Sequence, residues 1–199
     1  MTQPAFSSRR SPVYSRCGIV STSQPLATAA GIEILSKGGN AADAAVAAAA
    51  ALNVTEPTST GIGGDMFALY YDSQTKGVTA LNGSGRAPSA LTLDRLKSEG
   101  LLADELPPFH AHTVTVPGAC AGWCDLIEKH GLLSMSEILI PAIRLADEGF
   151  PVAPLTSYYW LRGAEGQLKS ALNGHELTID GRGPKAGEIF RNPGLAKTF

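Results

Sequence analysis

The segment that most constrains this chain is Ala41-Ala42-Asp43-Ala44-Ala45-Val46-Ala47-Ala48-Ala49-Ala50-Ala51-Leu52-Asn53-Val54. Alanine has the highest intrinsic helix propensity, and Asn40 offers a side-chain oxygen to an N–H group left orphaned in the first turn. The run is therefore expected to be a helix from Ala41 to about Asn53. A face made of alanine buries little area per residue, so its use implies the close approach of another backbone. With Asp43 inside it and a length of about 14 residues, the run falls short of the roughly 20 needed to cross a bilayer. It reads as a helix of a soluble interior.

The neighbouring segments supply a mixed α+β pattern. Gly18-Ile19-Val20-Ser21 is β-rich and leads through Ser23-Gln24-Pro25 into a helix carrying Leu26, Ala29, Ala30, Ile32 and Leu35, which Gly38-Gly39 stops. After the alanine helix, Met66 to Tyr71 and Val78 to Leu81 flank turn residues, predicting a hairpin over 66–82. Helical patterns follow at 93–99, 121–130, 136–148 and 154–172, with a short strand at Thr113-Val114-Thr115-Val116. Beyond Asn173 no periodicity predicts a closing element. Residues 1–16 read as a flexible arm and 17–199 as one domain.

Composition limits the function classes. Apolar residues make up 44% and charged residues 17% of 199 residues, as in globular chains that build a core. The net charge of −2 argues against a nucleic-acid footprint or an anionic membrane surface. Three cysteines, Cys17, Cys120 and Cys124, do not make a disulfide scaffold. Nothing near Met1 supplies the apolar run of roughly 7–15 residues of a secretory signal. The expectation is a cytoplasmic protein, or an extracellular or periplasmic one if the true start lies upstream.

Several motif-like stretches lack the context their chemistry needs. Gly61-Ile62-Gly63-Gly64 follows a helix and precedes a strand, the reverse of a phosphate cradle, and reads as a tight turn under close packing. Gly83-Ser84-Gly85 has Asn82 where a nucleophile elbow needs glycine. His110 and His112 lie beside Pro107-Pro108 without a surrounding metal-ligand set, so no metal or other cofactor is expected. Cys120 and Cys124 share a helix face and read as small buried hydrophobes. Arg86, on irregular backbone between glycine and proline turns, has a fork that matches a carboxylate.

Taken in order, Gly18 to Ser23, Lys37-Gly38-Gly39-Asn40-Ala41-Ala42-Asp43-Ala44, Glu56-Pro57-Thr58-Ser59-Thr60-Gly61-Ile62-Gly63-Gly64-Asp65-Met66-Phe67, Asn82 to Pro88, Thr115-Val116-Pro117-Gly118 and Ala142 to Pro151 resemble the γ-glutamyltranspeptidase family. The resemblance covers the front part of that family's large subunit. It implies a partial αββα N-terminal nucleophile hydrolase sandwich, incomplete in this chain, with uncovered sheet edges and apolar faces. It further implies a longer precursor that cleaves itself, a small subunit whose N-terminal threonine is the nucleophile, and a γ-glutamyl substrate such as glutathione. No processing signature of that kind occurs between Met1 and Phe199, so no catalytic residue is assigned here. The missing small subunit is the expected partner.

In the family an arginine meets the substrate α-carboxylate, and an ungapped match puts Ser84 at its position, with Arg86 two residues later. An extended backbone would turn both residues to one side. Arg86 is the principal substrate-binding candidate, with Ser84 and then Asn82 behind it, while Glu56, Gly63, Gly64 and Asp65 read as structural. The shifted arginine also admits an acylase acting on other side-chain amides, and the lack of a nucleophile admits a non-catalytic remnant.

Overall fold

A computed structural model describes residues 11–101, 104–107 and 109–199. They divide into two compact units, one built from the chain up to Thr60 together with His130–Phe199, the other from Gly61–Lys129. Of the expected arm, residues 1–10 lie outside the described residues, and residues 11–16 are exposed.

The first unit is helical. Helix α1, Pro25–Ser36, and helix α2, Ala41–Thr55, pack together along the alanine face. Gly31 explains the small residues: a Cβ there would lie 3.1 Å from the Ala44 carbonyl oxygen and 2.8 Å from Val20 Cγ1. The two backbones approach too closely for a larger side chain, as the alanine run implies. Gly38, at φ +93°, turns the chain out of α1 in a conformation that glycine adopts without a Cβ clash.

Asn40 then caps α2 through Ala42 and Asp43 N–H, while the Asp43 carboxylate accepts the Asn40 N–H at 2.8 Å, completing a reciprocal capping box. Helix α5, Met135–Glu148, lies against α2 and is started by a second such box, Ser134 with Glu137. An ion pair from Arg144 to Glu33, at 2.7 Å, joins α5 to α1.

Helix α6, Pro154–Gly166, ends before the predicted boundary, and its last expected turn is a separate 3-10 turn at Leu168–Ser170. Trp160, 1% exposed, packs edge-on to Phe190, and its indole N–H donates to the Leu177 carbonyl at 2.8 Å. The tail does close the unit. In the two-residue antiparallel pair of β3, Phe150–Pro151, with β4, Ile189–Phe190, Phe150 faces Phe190; helix α7, Pro193–Thr198, then packs on α5. Short elements of two to six residues leave no periodicity for a sequence window to detect.

In contrast to the expected strand, Gly18–Ser21 has no ladder partner among the described residues. Its β-prone composition is present, but a strand also needs a neighbour to take its hydrogen bonds.

The second unit holds the predicted hairpin, β1, Met66–Asp72, and β2, Gly77–Gly83, in register Phe67↔Asn82, Leu69↔Ala80 and Tyr71↔Val78. Those pairs share one face, on which Phe67, Leu69, Tyr71 and Val78 are 60–80% exposed. The hairpin is a small antiparallel sheet whose exposed side is apolar. Helix α3, Leu93–Ser98, and helix α4, Ala119–His130, complete the unit. The expected strand at Thr113–Val116 is instead a 3-10 turn, Ala111–Thr113, followed by an extended segment whose Val116 N–H donates to the Arg86 carbonyl at 2.9 Å.

Candidate functional site

The second unit brings three motif stretches that are distant in sequence into backbone contact. As β2 ends, the Asn82 side-chain oxygen accepts the Ser84 N–H at 3.0 Å and turns the chain out of the hairpin. Gly85 has φ +75°, and a Cβ there would sit 2.0 Å from the Val116 carbonyl oxygen. The Thr115 hydroxyl donates to the Ser84 carbonyl at 3.4 Å, and Val116 N–H to that of Arg86. Gly118 presses from the same stretch: its Cβ would meet the Gly83 carbonyl oxygen at 2.3 Å and the Gly85 nitrogen at 2.6 Å.

The third stretch is the glycine turn. The Gly64 carbonyl accepts both the Gly118 N–H, at 3.0 Å, and the Ala119 N–H, at 3.1 Å. These are among the first donors of α4, so that helix end is occupied by backbone rather than open to an anion. The turn does not match the expected close packing throughout. Added Cβ atoms at Gly61 and Gly63 would meet nothing within 4 Å, and the functional group of this loop is the Gly64 carbonyl.

This backbone braid presents Arg86. The left-handed Gly85 breaks the extended run on which Ser84 and Arg86 were expected to alternate to one side, yet both line one open cavity of about 360 Å³ together with Asn82, Gly118, Ala121 and Asp125. Arg86 is exposed, and its guanidinium makes no ion pair or hydrogen bond with a described residue. Asp125, on α4, is likewise exposed and unpaired among the described residues. A cation and an anion that share a cavity wall without pairing complement a ligand that carries both charges. Ser84 hydroxyl donates to the Gly85 carbonyl at 3.3 Å and keeps its lone pairs free to accept.

Two larger cavities lie in the first unit, about 510 Å³ beside Val13–Ile32 and about 400 Å³ beside Trp160, and no charged side chain lines either. Glu56 belongs to that unit and accepts the Ser23 hydroxyl at 2.7 Å. His110 and His112 sit on the 3-10 turn. The His112 N–H donates to His110 Nδ1 at 3.1 Å, and the His112 ring meets Glu99 at 2.7 Å. Among the described residues no group of three or more His, Cys, Asp or Glu side chains is placed to hold a metal ion.

Cys120 and Cys124 are exposed, against the expectation of buried hydrophobes. Helix α4 begins at Ala119, and its buried face carries Ala119, Gly122, Trp123, Leu126 and Ile127, which leaves both cysteines outside. Asp125 has no sequence signature for the same reason: an exposed helical carboxylate gains meaning only when the fold puts it on the cavity that Arg86 lines.

Residues 27–199 match the model of the gamma-glutamyltranspeptidase family. A glutathione hydrolase proenzyme of Bacillus subtilis is 38% identical over 92% of this chain, and the chain spans 31% of that relative's length. The crystal structure of Helicobacter pylori γ-glutamyltranspeptidase superposes with a TM-score of 0.85 at 29% identity, over 94% of this chain and 54% of that one. A cephalosporin acylase from Bacillus halodurans superposes with a TM-score of 0.82 at 41% identity, over 98% of this chain and 38% of that one. Motif order and all three comparisons agree, and the chain belongs to the γ-glutamyltranspeptidase family.

Proposed function

We propose that this chain supplies the acyl-group recognition loop of an enzyme that hydrolyses or transfers γ-glutamyl groups, glutathione being the substrate in view. The nucleophile comes from polypeptide outside these 199 residues, the N-terminal threonine of a small subunit. Its α-amine takes the hydroxyl proton as Oγ attacks the γ-carbonyl carbon; the amine leaves protonated, and water or an acceptor amine resolves the acyl-enzyme. Support for an assembly in two parts comes from the proenzyme relative and from the hairpin's exposed apolar face.

The observation that carries the reading is the unpaired Arg86 and Asp125 on one cavity. The guanidinium takes the α-carboxylate of the glutamyl group, and Asp125, with a free lone pair of the Ser84 hydroxyl, takes the α-ammonium. Incubation with a chromogenic γ-glutamyl amide tests the division of labour. The chain alone leaves the substrate intact, and turnover appears when a nucleophile-bearing subunit is co-expressed with it; turnover by the chain alone overturns the reading.

A second reading is favoured by the position of Arg86 immediately before Ala87-Pro88 and by the acylase neighbour at 41% identity. In it the acyl group is a dicarboxylic one without an α-amine, and Asp125 has no ligand to hold.

A further inference from the structure

We propose that Cys120 and Cys124 form a chelating dithiol on the surface of α4 that takes up trivalent arsenic. Cysteine is among the most buried residue types, so two exposed cysteines one helical turn apart are an informative exception. Residues at i and i+4 on a helix have Cβ atoms about 5–6 Å apart on one face. A disulfide requires roughly 3.5–4.5 Å between Cβ atoms, so a direct S–S bond would unwind the helix. A single bridging atom with two longer bonds to sulfur spans the gap with the helix intact.

The helix is also well fixed at this point. Its first turn is pinned by the Gly118 and Ala119 N–H groups on Gly64, and Gly122 and Trp123, between the two thiols, are buried. The pair is thus preorganised, and the entropy cost of bringing two sulfurs together is met by folding rather than by the ligand.

The surroundings select the ligand's chemistry. Burial first, then the neighbouring Cys120 with its hydrogen bond, then the Asp125 and Glu128 carboxylates raise the Cys124 thiol above its ordinary value. The raised Cys124 thiol, beside two carboxylates, is a poor nucleophile toward anionic disulfides such as oxidised glutathione. The pair remains competent toward a neutral arsenic(III) oxide or hydroxide. With a monosubstituted arsenic oxide, two As–S bonds form, the As=O bond is lost, and the two thiol protons leave with that oxygen as water. No electron transfer is involved, and no oxidant is needed.

Phenylarsine oxide is the appropriate probe, because its phenyl group leaves only two bonds for thiols. Native mass spectrometry of the full chain should show one equivalent bound, retained in excess monothiol and released by a vicinal dithiol. Cys120→Ser and Cys124→Ser should each weaken binding by roughly 100-fold, the gain expected of chelation over a single bond. Cys17→Ser should leave binding unchanged, since Cys17 belongs to the first unit, whose sequence holds no second cysteine to chelate with it. Far-UV circular dichroism checks that the variants stay helical, and Cys120→Ala and Cys124→Ala replace any serine variant that does not. Tight binding that survives either substitution, that disappears with Cys17, or that appears only in denaturant overturns the proposal.

Discussion

Both oxygens of the Asp43 carboxylate lie 3.1 Å from the backbone nitrogen of Leu132, which donates to them across 89 residues of sequence. Asp43 is fully buried in the first turn of α2, where it also accepts the Asn40 N–H. The Asn40 side-chain amide returns the contact by donating to the His130 carbonyl. One short polar cluster thus fixes the start of the alanine helix and the point where the chain re-enters the first unit.

Asp43→Ala leaves the part-buried N–H groups of Asn40, Leu132 and Leu133 without this acceptor and is expected to destabilise the chain by about 2–3 kcal/mol. Asp43→Asn retains one acceptor oxygen and should cost roughly half as much. Urea denaturation of the three proteins checks this order. Equal stability of Asp43→Ala and the wild type would show that Leu132 needs no such anchor.

The glycines near the candidate site divide sharply. Gly85→Ala and Gly118→Ala each drive a Cβ into backbone at 2.0–2.3 Å, and each should cost about 2–3 kcal/mol or dislodge the Arg86 turn. Gly61→Ala and Gly63→Ala meet open space and should fall within about 0.5 kcal/mol of the wild type. Thermal melts of the four variants should separate into these two pairs; a large loss at Gly61 or Gly63 would contradict the geometry.

Acid should loosen the loop between Gly181 and Ile189. Arg182 holds Glu188 through two hydrogen bonds of 2.8 Å, and with the Lys185 N–H it lowers that carboxyl from its ordinary 4.5 to about 2. The folded-state value is depressed, so the contribution is full above 4.5, declines as pH falls and is gone below about 2. The two side chains are 35% and 32% exposed, and solvent screening keeps the effect small. Wild type and Glu188→Gln should differ in urea midpoint near neutrality and converge toward pH 2. A constant difference across that range would assign the effect to packing.

The apolar hairpin face predicts self-association of the chain on its own. Phe67, Leu69 and Tyr71 project from alternate positions of β1 and are exposed. Leu69→Lys should lower the aggregated fraction in light scattering without changing the hairpin. A monodisperse wild type would contradict this.

The parts legible in sequence were those written in local chemistry. The Asn40 cap, the Gly38 stop, the hairpin, helices α1 to α5 and the start of α6 follow from propensity, capping and periodicity. The site was half legible. Arg86, Ser84 and Asn82 stood out as candidates in the sequence, but their joint placement on one cavity rests on a left-handed Gly85 and on backbone pairing with Thr115–Val116, which no periodicity encodes. Asp125 and the two exposed cysteines depend on which face of α4 is buried, and that is settled by tertiary packing. Strand propensity at Gly18–Ser21 predicted a strand, because propensity cannot supply the partner that a ladder requires.

The most direct test of the account is a kinetic comparison of acyl donors in a proenzyme carrying this segment and a nucleophile. Three chromogenic amides suffice: γ-glutamyl, glutaryl, which lacks the α-amine, and 4-aminobutanoyl, which lacks the α-carboxylate. Arg86→Ala should raise KM roughly tenfold to a hundredfold for the first two and leave the third unchanged, while Asp125→Asn should penalise the γ-glutamyl amide and spare the glutaryl one. Equal losses on all three donors would contradict acyl-group recognition by this cavity.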